Sequence, residues 1–191
     1  MNLPNKLTLM RIILVPFFML FLYWEIPFHY TIALLIFAAA SITDALDGSI
    51  ARKRNLVTTF GKFADPLADK ILVLGAFACL SDITDLVNGI VVTIIASREF
   101  MVSGLRLVTA EKGVVVPAGI WGKLKTAFTM VALSLMLIYF SVGNDFNVMF
   151  TPSAETVISV ILKVLVWISV ILTVISGAIY LKGYAKYIDT K

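Results

Sequence analysis

Residues 43–70 read TDALDGSIARKRNLVTTFGKFADPLADK. Four aspartates fall in this stretch, Asp44, Asp47, Asp65 and Asp69, and the segments around it are apolar enough to sit in a lipid bilayer. A carboxylate at the centre of a membrane helix costs roughly 2.5–3.5 kcal/mol on the insertion scale. Four uncompensated ones would cost on the order of 10 kcal/mol. Whatever offsets that cost decides both the fold and the chemistry.

Outward from this stretch the chain is strongly apolar. Its 191 residues are 60% hydrophobic and 15% charged, with a mean hydropathy of +0.96. That lies well outside the range of a soluble domain, and a soluble, core-rich enzyme is excluded by the long apolar runs. Six such runs stand out, at roughly 8–24, 30–50, 63–80, 86–108, 120–142 and 156–181. Each is long enough to cross a hydrocarbon core of about 30 Å at 1.5 Å per residue. Short polar breaks separate them: EIPFH, RKRNLVTTFGK, SDITD, EKGVVVP and GNDFNVMFTPSAE. The expected fold class is an all-α integral membrane protein of six transmembrane helices. Residues 1–191 form a single domain, without internal repeats or a soluble appendage.

The basic residues orient it. Lys6, Arg11, Arg52, Lys53, Arg54, Lys62, Lys70, Arg98, Arg106, Lys112, Lys123, Lys125, Lys182, Lys186 and Lys191 all fall on one side. Only Lys163 sits inside a span, and the opposite loops carry Glu25, Asp82, Asp85, Asp145 and Glu155 with no Lys or Arg. The positive-inside bias therefore places both termini in the cytoplasm. It also places the four aspartates at the cytoplasmic ends of the second and third helices, in a polar cavity that can be hydrated. The first apolar run lacks a small-residue cleavage site and does not read as a removable leader. Cys79, the single cysteine, reads as a small buried hydrophobe. His29, the single histidine, reads as an interfacial residue beside Phe28 and Tyr30.

On a helix, residues i, i+3, i+4, i+7 and i+8 share one face. Asp44, Asp47, Gly48, Ala51 and Arg52 fit that set, and Gly61, Asp65 and Asp69 fit i, i+4, i+8. Two such faces on consecutive antiparallel helices can converge four carboxylates on one point. Carboxylates that converge repel, and divalent cations relieve the repulsion. Oxygen-only ligands suit hard ions such as Mg²⁺, Mn²⁺ or Ca²⁺, and no His or Cys stands nearby to favour zinc. Four carboxylates exceed what one Mg²⁺ usually recruits, so a two-metal site suited to phosphoryl displacement is expected. Small residues at 48, 51 and 61 leave room for a ligand to approach the backbone. The plainer alternative, helix-end carboxylates bridged to Arg52, Lys53, Arg54, Lys62 and Lys70, suits any one aspartate better than all four at matched spacing. Pro66 cannot donate a backbone hydrogen bond, so the third helix is expected either to start near Lys62 or to bend there.

The pattern Asp44-x-x-Asp47-Gly48-x-x-Ala51-Arg52, eight residues, then Gly61-x-x-x-Asp65-x-x-x-Asp69 resembles the signature of the CDP-alcohol phosphatidyltransferase family, and every defined position is present. The resemblance implies six transmembrane helices, a homodimer and a divalent-metal site at the cytoplasmic face of the cell membrane. It implies transfer of a phosphatidyl or phosphoalcohol group from a CDP-linked donor to an alcohol, with release of CMP. By position, Asp44, Asp47, Asp65 and Asp69 would be metal ligands for Mg²⁺ or Mn²⁺, in two ions. Asp69 would also be the general base, although attack by Asp69 itself is open. Asp47, Gly48, Ala51, Arg52 and Gly61 would hold the CDP part.

Three further stretches bear on the substrates. NLPNKLTLMR at 2–11 places Asn5, Thr8 and Arg11 at the membrane entry. It reads either as an interfacial start with a snorkelling Arg or, as the form LPNxLTxxR in bacterial family members implies, as a segment beside the nucleotide. SREFMVSGLR at 97–106 carries Arg98 and Arg106 on one helical face with Glu99 beside Arg98, and WGKLKTA at 121–127 carries Lys123 and Lys125. Charges inside a span are functional or mutually paired, and an Arg pair with a nearby Lys suits a phosphate clamp. These two stretches resemble family members whose acceptor is sn-glycerol 3-phosphate. The expected donor is CDP-diacylglycerol, and the product a phosphatidylglycerol precursor of phospholipid biosynthesis. The other partners are membrane lipids, and nothing points to nucleic acid. Within the same chemistry, inositol phosphate, phosphatidylglycerol and serine are rival acceptors. A divalent-cation transporter and a membrane scaffold are rivals of another class, but neither accounts for Gly48, Ala51 and Gly61 at fixed offsets from the carboxylates.

Overall fold

The computed structural model describes the backbone of residues 3–54, 59–111 and 119–184, and the side chains of 6–43, 67–68, 70–109 and 119–184. Among them are six α-helices and no strand: α1 (Leu3–Tyr23), α2 (His29–Arg54), α3 (Thr59–Ile83), α4 (Gly89–Glu111), α5 (Ile120–Phe140) and α6 (Pro152–Tyr184). A π-helical turn, Ser141–Asp145, prolongs α5. The all-helical expectation and the number of helices hold. The shortest helices have 21 residues, about 31 Å at 1.5 Å per residue, and so match the hydrocarbon core. Among the described residues three of them, α1, α5 with its π-turn and α6, are both long and apolar enough to cross a membrane. In α2 the described side chains give an apolar stretch over His29–Thr43.

The helix ends do not coincide with the ends of the apolar segments. Hydropathy marks where lipid begins and ends, whereas caps set where a helix stops. Thus α4 starts at Gly89 because the Asn88 Oδ1 accepts the Val91 N–H at 3.0 Å, an N-cap bond. The α6 start is Thr151-Pro152-Ser153-Ala154-Glu155. There the Thr151 hydroxyl accepts the Ala154 N–H at 3.3 Å, Pro152 takes the first helical position, and the acidic Glu155 falls in the first turn. The third helix already includes Thr59, so it does not begin near Lys62. Pro66 therefore lies in its interior, where it leaves the Lys62 carbonyl without its usual intrahelical donor.

The chain divides into two compact units, 1–79 with 133–155 and 80–132 with 156–191. In the first, α1 packs on α2. Val15, Phe18 and Leu22 recur at helical spacing and are buried, as are Ala33, Phe37 and Ala40. The Phe18 and Phe37 rings meet at 5.8 Å between centroids. Cys79 is buried, as its sequence context predicts. His29 bonds the Phe21 carbonyl through Nδ1 at 3.1 Å and tilts against Tyr30 at 4.0 Å.

The start of α2 is capped from a distance. Phe28, which precedes it, has a positive φ of 62° and no capping side chain. Instead, the Asp145 Oδ2 in the π-turn accepts both the Thr31 N–H and the Thr31 hydroxyl, each at 2.6 Å. The Ser141 hydroxyl lies 2.7 Å from the Thr31 hydroxyl. The carboxylate thus satisfies a free helical N–H and faces the positive end of the helix dipole.

In the second unit, α6 inverts the soluble pattern. Ser169, Thr173, Ser176 and Gly177 are buried, while Val160, Ile161, Val164, Trp167, Ile171 and Val174 are exposed. The Thr173 hydroxyl donates to the Ser169 carbonyl at 2.6 Å and the Ser176 hydroxyl to the Thr173 carbonyl at 3.0 Å. Small residues inside and aliphatic ones outside suit helix packing in lipid, where apolar surface need not be hidden.

Asp145→Ala removes the remote cap of α2 and leaves Thr31 without its acceptor. We expect it to destabilise the protein by roughly 1–2 kcal/mol, read as a lowered thermal midpoint in detergent, with Asp145→Asn losing less.

Candidate functional site

The eight residues of the aspartate signature lie on helical backbone: Asp44, Asp47, Gly48, Ala51 and Arg52 on α2, and Gly61, Asp65 and Asp69 on α3. The spacings that place each set on one helical face therefore hold over continuous helix. Both sets belong to the first unit. Their side chains lie outside the described residues, as does the Asn5 side chain near the start of α1. The donor set by itself, four carboxylates without thiolate or imidazole, suits a hard divalent cation. Among the described side chains no other group of three or more His, Cys, Asp or Glu could hold a metal.

On α1, Thr8 and Arg11 stand three residues apart and are buried, at 0% and 1% exposure. Arg11 therefore does not snorkel to the interface. Neither residue lacks a partner, as a buried guanidinium requires.

The second unit holds a built cluster of charge. The Glu99 Oε1 accepts from Arg98 Nη1 at 2.9 Å and from Lys125 Nζ at 2.6 Å. The three side chains are only 12%, 12% and 6% exposed, for Glu99, Arg98 and Lys125 respectively. Helix α4 supplies the first two and α5 the third. Helix α6 closes the cluster. The Arg98 Cζ lies 5.5 Å from the centroid of the Tyr180 ring, within cation–π range, and Tyr180 stacks on Tyr184. Gly177 lets this happen, because a Cβ there would stand 3.1 Å from the Arg98 Cγ. Gly122 on α5 abuts the Tyr180 ring and the Arg98 guanidinium in the same way, at 3.5 Å and 3.9 Å from a built Cβ.

Of the four bases expected to hold a phosphate, the structure brings Arg98 and Lys125 together. Arg106 and Lys123 are exposed, and among the described residues no ion pair joins them to the cluster. The pairing of Glu99 with the adjacent Arg98 agrees with the expectation that charges inside a span are functional or mutually paired, but its second partner, 26 residues away on α5, does not show in the sequence. Two contributors escape a reading of the sequence: Tyr180 and Gly177 give no signal at all, since only packing brings α6 to Arg98.

Comparison with known proteins bears on what such a chain does. The family model described as CDP-alcohol phosphatidyltransferase matches residues 1–176. A CDP-diacylglycerol–glycerol-3-phosphate 3-phosphatidyltransferase of Bacillus subtilis (strain 168) is 42% identical over 188 residues, covering 92% of this chain and 91% of its own. A protein of the same name from Rickettsia bellii (strain RML369-C) is 41% identical over 186 residues, covering 97% of both chains. Another from Pseudomonas fluorescens is 40% identical over 141 residues, covering 72% of both. With its aspartate signature unbroken on α2 and α3, this chain belongs to the CDP-alcohol phosphatidyltransferase family.

Gly177→Ala tests the close approach of α6 to Arg98. The added methyl must displace the arginine by a few tenths of an ångström. We expect CMP release to fall on the order of 10-fold with the thermal midpoint nearly unchanged. An unchanged rate would mean that Arg98 does not need its present position.

Proposed function

We propose that this chain transfers the phosphatidyl group of CDP-diacylglycerol to sn-glycerol 3-phosphate, yielding phosphatidylglycerophosphate and CMP. The observation that carries the acceptor is the buried Arg98–Glu99–Lys125 cluster, which holds two cations against one anion. An acceptor without a phosphate would leave that charge without purpose. The names of the relatives from Bacillus subtilis, Rickettsia bellii and Pseudomonas fluorescens support the same acceptor.

In this reading Asp44, Asp47, Asp65 and Asp69 ligate two divalent ions, Mg²⁺ or Mn²⁺. Bound there, such ions would neutralise the diphosphate and stabilise the charge that develops as CMP departs. Asn5, Thr8, Asp47, Gly48, Ala51, Arg52 and Gly61 hold the CDP part, with the small residues giving the nucleotide access to the backbone. Arg98 and Lys125 take the acceptor's phosphate through charge-assisted hydrogen bonds. The exposed Arg106 and Lys123 draw the anion in from solution. Asp69 removes the proton from the free primary hydroxyl. That oxygen bonds to the lipid-side phosphorus, the bond from that phosphorus to the CMP oxygen breaks, and its electron pair leaves with CMP. The chain works as a homodimer in the cytoplasmic membrane, termini and site on the cytoplasmic side. The one-sided distribution of Lys and Arg supports that orientation, and the family resemblance supports the dimer.

The deciding experiment measures CMP release from CDP-diacylglycerol by purified protein with glycerol 3-phosphate, inositol phosphate, phosphatidylglycerol or serine. We expect release with glycerol 3-phosphate alone. Chelation should abolish it and Mg²⁺ or Mn²⁺ restore it, and Asp69→Asn should lower kcat by roughly 10²–10⁴-fold. Arg98→Ala should raise the KM for glycerol 3-phosphate and leave that for the lipid donor. Release with a different acceptor alone would contradict the reading of the basic cluster.

A further inference from the structure

We propose that Glu99 is a positioning residue that holds Arg98 and Lys125 side by side as a cradle for the acceptor's phosphate. This inference rests on the acceptor reading above.

The geometry carries it. One oxygen, Glu99 Oε1, receives both cations, at 2.9 and 2.6 Å. Two cations that meet on one oxygen repel each other, and in a site this secluded the repulsion is poorly screened. Without the carboxylate they would part. Glu99 therefore makes their proximity possible before any ligand arrives.

Other features show that the cluster has donors to spare. An ammonium has three donors and a guanidinium five. Glu99 Oε1 takes one from each. The Arg98 Nε is buried with no hydrogen-bond partner among the described residues, and a buried donor without a partner is costly. The guanidinium lies against Tyr180, with Cζ 5.5 Å from the ring centroid, and the aliphatic stem of Arg98 passes close to Gly177. Two cations gathered on one carboxylate oxygen can receive an incoming anion together. The tetrahedral phosphate monoester, with oxygens that can meet two cations at once, fits that pair.

The test compares KM and kcat for glycerol 3-phosphate, and KM for CDP-diacylglycerol, in Glu99→Gln, Glu99→Asp, Arg98→Ala and Lys125→Ala, with inorganic phosphate as a competing probe. We expect Glu99→Gln to raise the acceptor KM and the inhibition constant of phosphate together, by 10-fold or more, with the donor KM within about twofold. Glu99→Asp keeps the charge but is one methylene shorter, and should recover part of the loss. A structural role alone would lower the amount of active enzyme and leave every KM in place. If Arg98→Ala and Lys125→Ala raise the acceptor KM but both Glu99 variants leave it unchanged, the positioning role of Glu99 is overturned while the acceptor reading stands. If neither cation variant changes the acceptor KM, the acceptor reading itself fails, and this inference with it. Should Glu99→Gln not fold, Glu99→Asp decides alone, because an unchanged acceptor KM in it contradicts the need to reach both cations.

Discussion

A charge removed from water must find compensation nearby, and in a chain this apolar the rule governs nearly every polar residue. It is met in different ways at different places. The Asp145 carboxylate takes the free N–H and hydroxyl of Thr31 at the head of α2. Glu99 takes Arg98 and Lys125. Arg11, though almost wholly buried, is not left without a partner. The aspartates of α2 and α3 pose the same problem at four positions, and the proposed metal binding would answer it with the chemistry that the family's name describes.

The apolar side of the molecule answers to a different constraint. In lipid there is no reward for hiding Val or Ile, so helix faces are chosen by fit instead. α6 shows the result, with Ser169, Thr173, Ser176 and Gly177 turned inward and an aliphatic face turned out. This choice has a consequence for the site. A helix lined by small residues can come close to α4, and at Gly177 it comes close enough to press on the Arg98 side chain. The packing rule of the membrane thereby shapes the surroundings of the charge cluster.

Much of this is legible in the residues. The six helices follow from the length of the apolar runs and the Lys and Arg in the breaks, because both reflect the bilayer directly. The aspartate signature is legible because helical periodicity ties spacing to position on a face. Helix ends are less legible. Residues 81–83 and 143–145 continue their helices past the apolar segments, and Pro66 falls inside α3, which already includes Thr59. Long-range partners are not legible at all. Asp145 and Thr31 are 114 positions apart, and Arg98 meets Tyr180 from another helix. No local pattern encodes such meetings, which arise only once the helices have packed. The same limit explains why Arg106 and Lys123 look equal to Arg98 and Lys125 in the sequence, although only the latter two are gathered by Glu99.

The claim on which the rest depends is that the carboxylates of α2 and α3 act together on divalent metal. The most direct measurement is Mn²⁺ binding to the purified protein, followed by electron paramagnetic resonance, beside Asp44→Asn and Asp65→Asn. Two ions bound per chain, with binding weakened by the substitution on either helix, is the predicted result. Binding that is unchanged by both substitutions would contradict it.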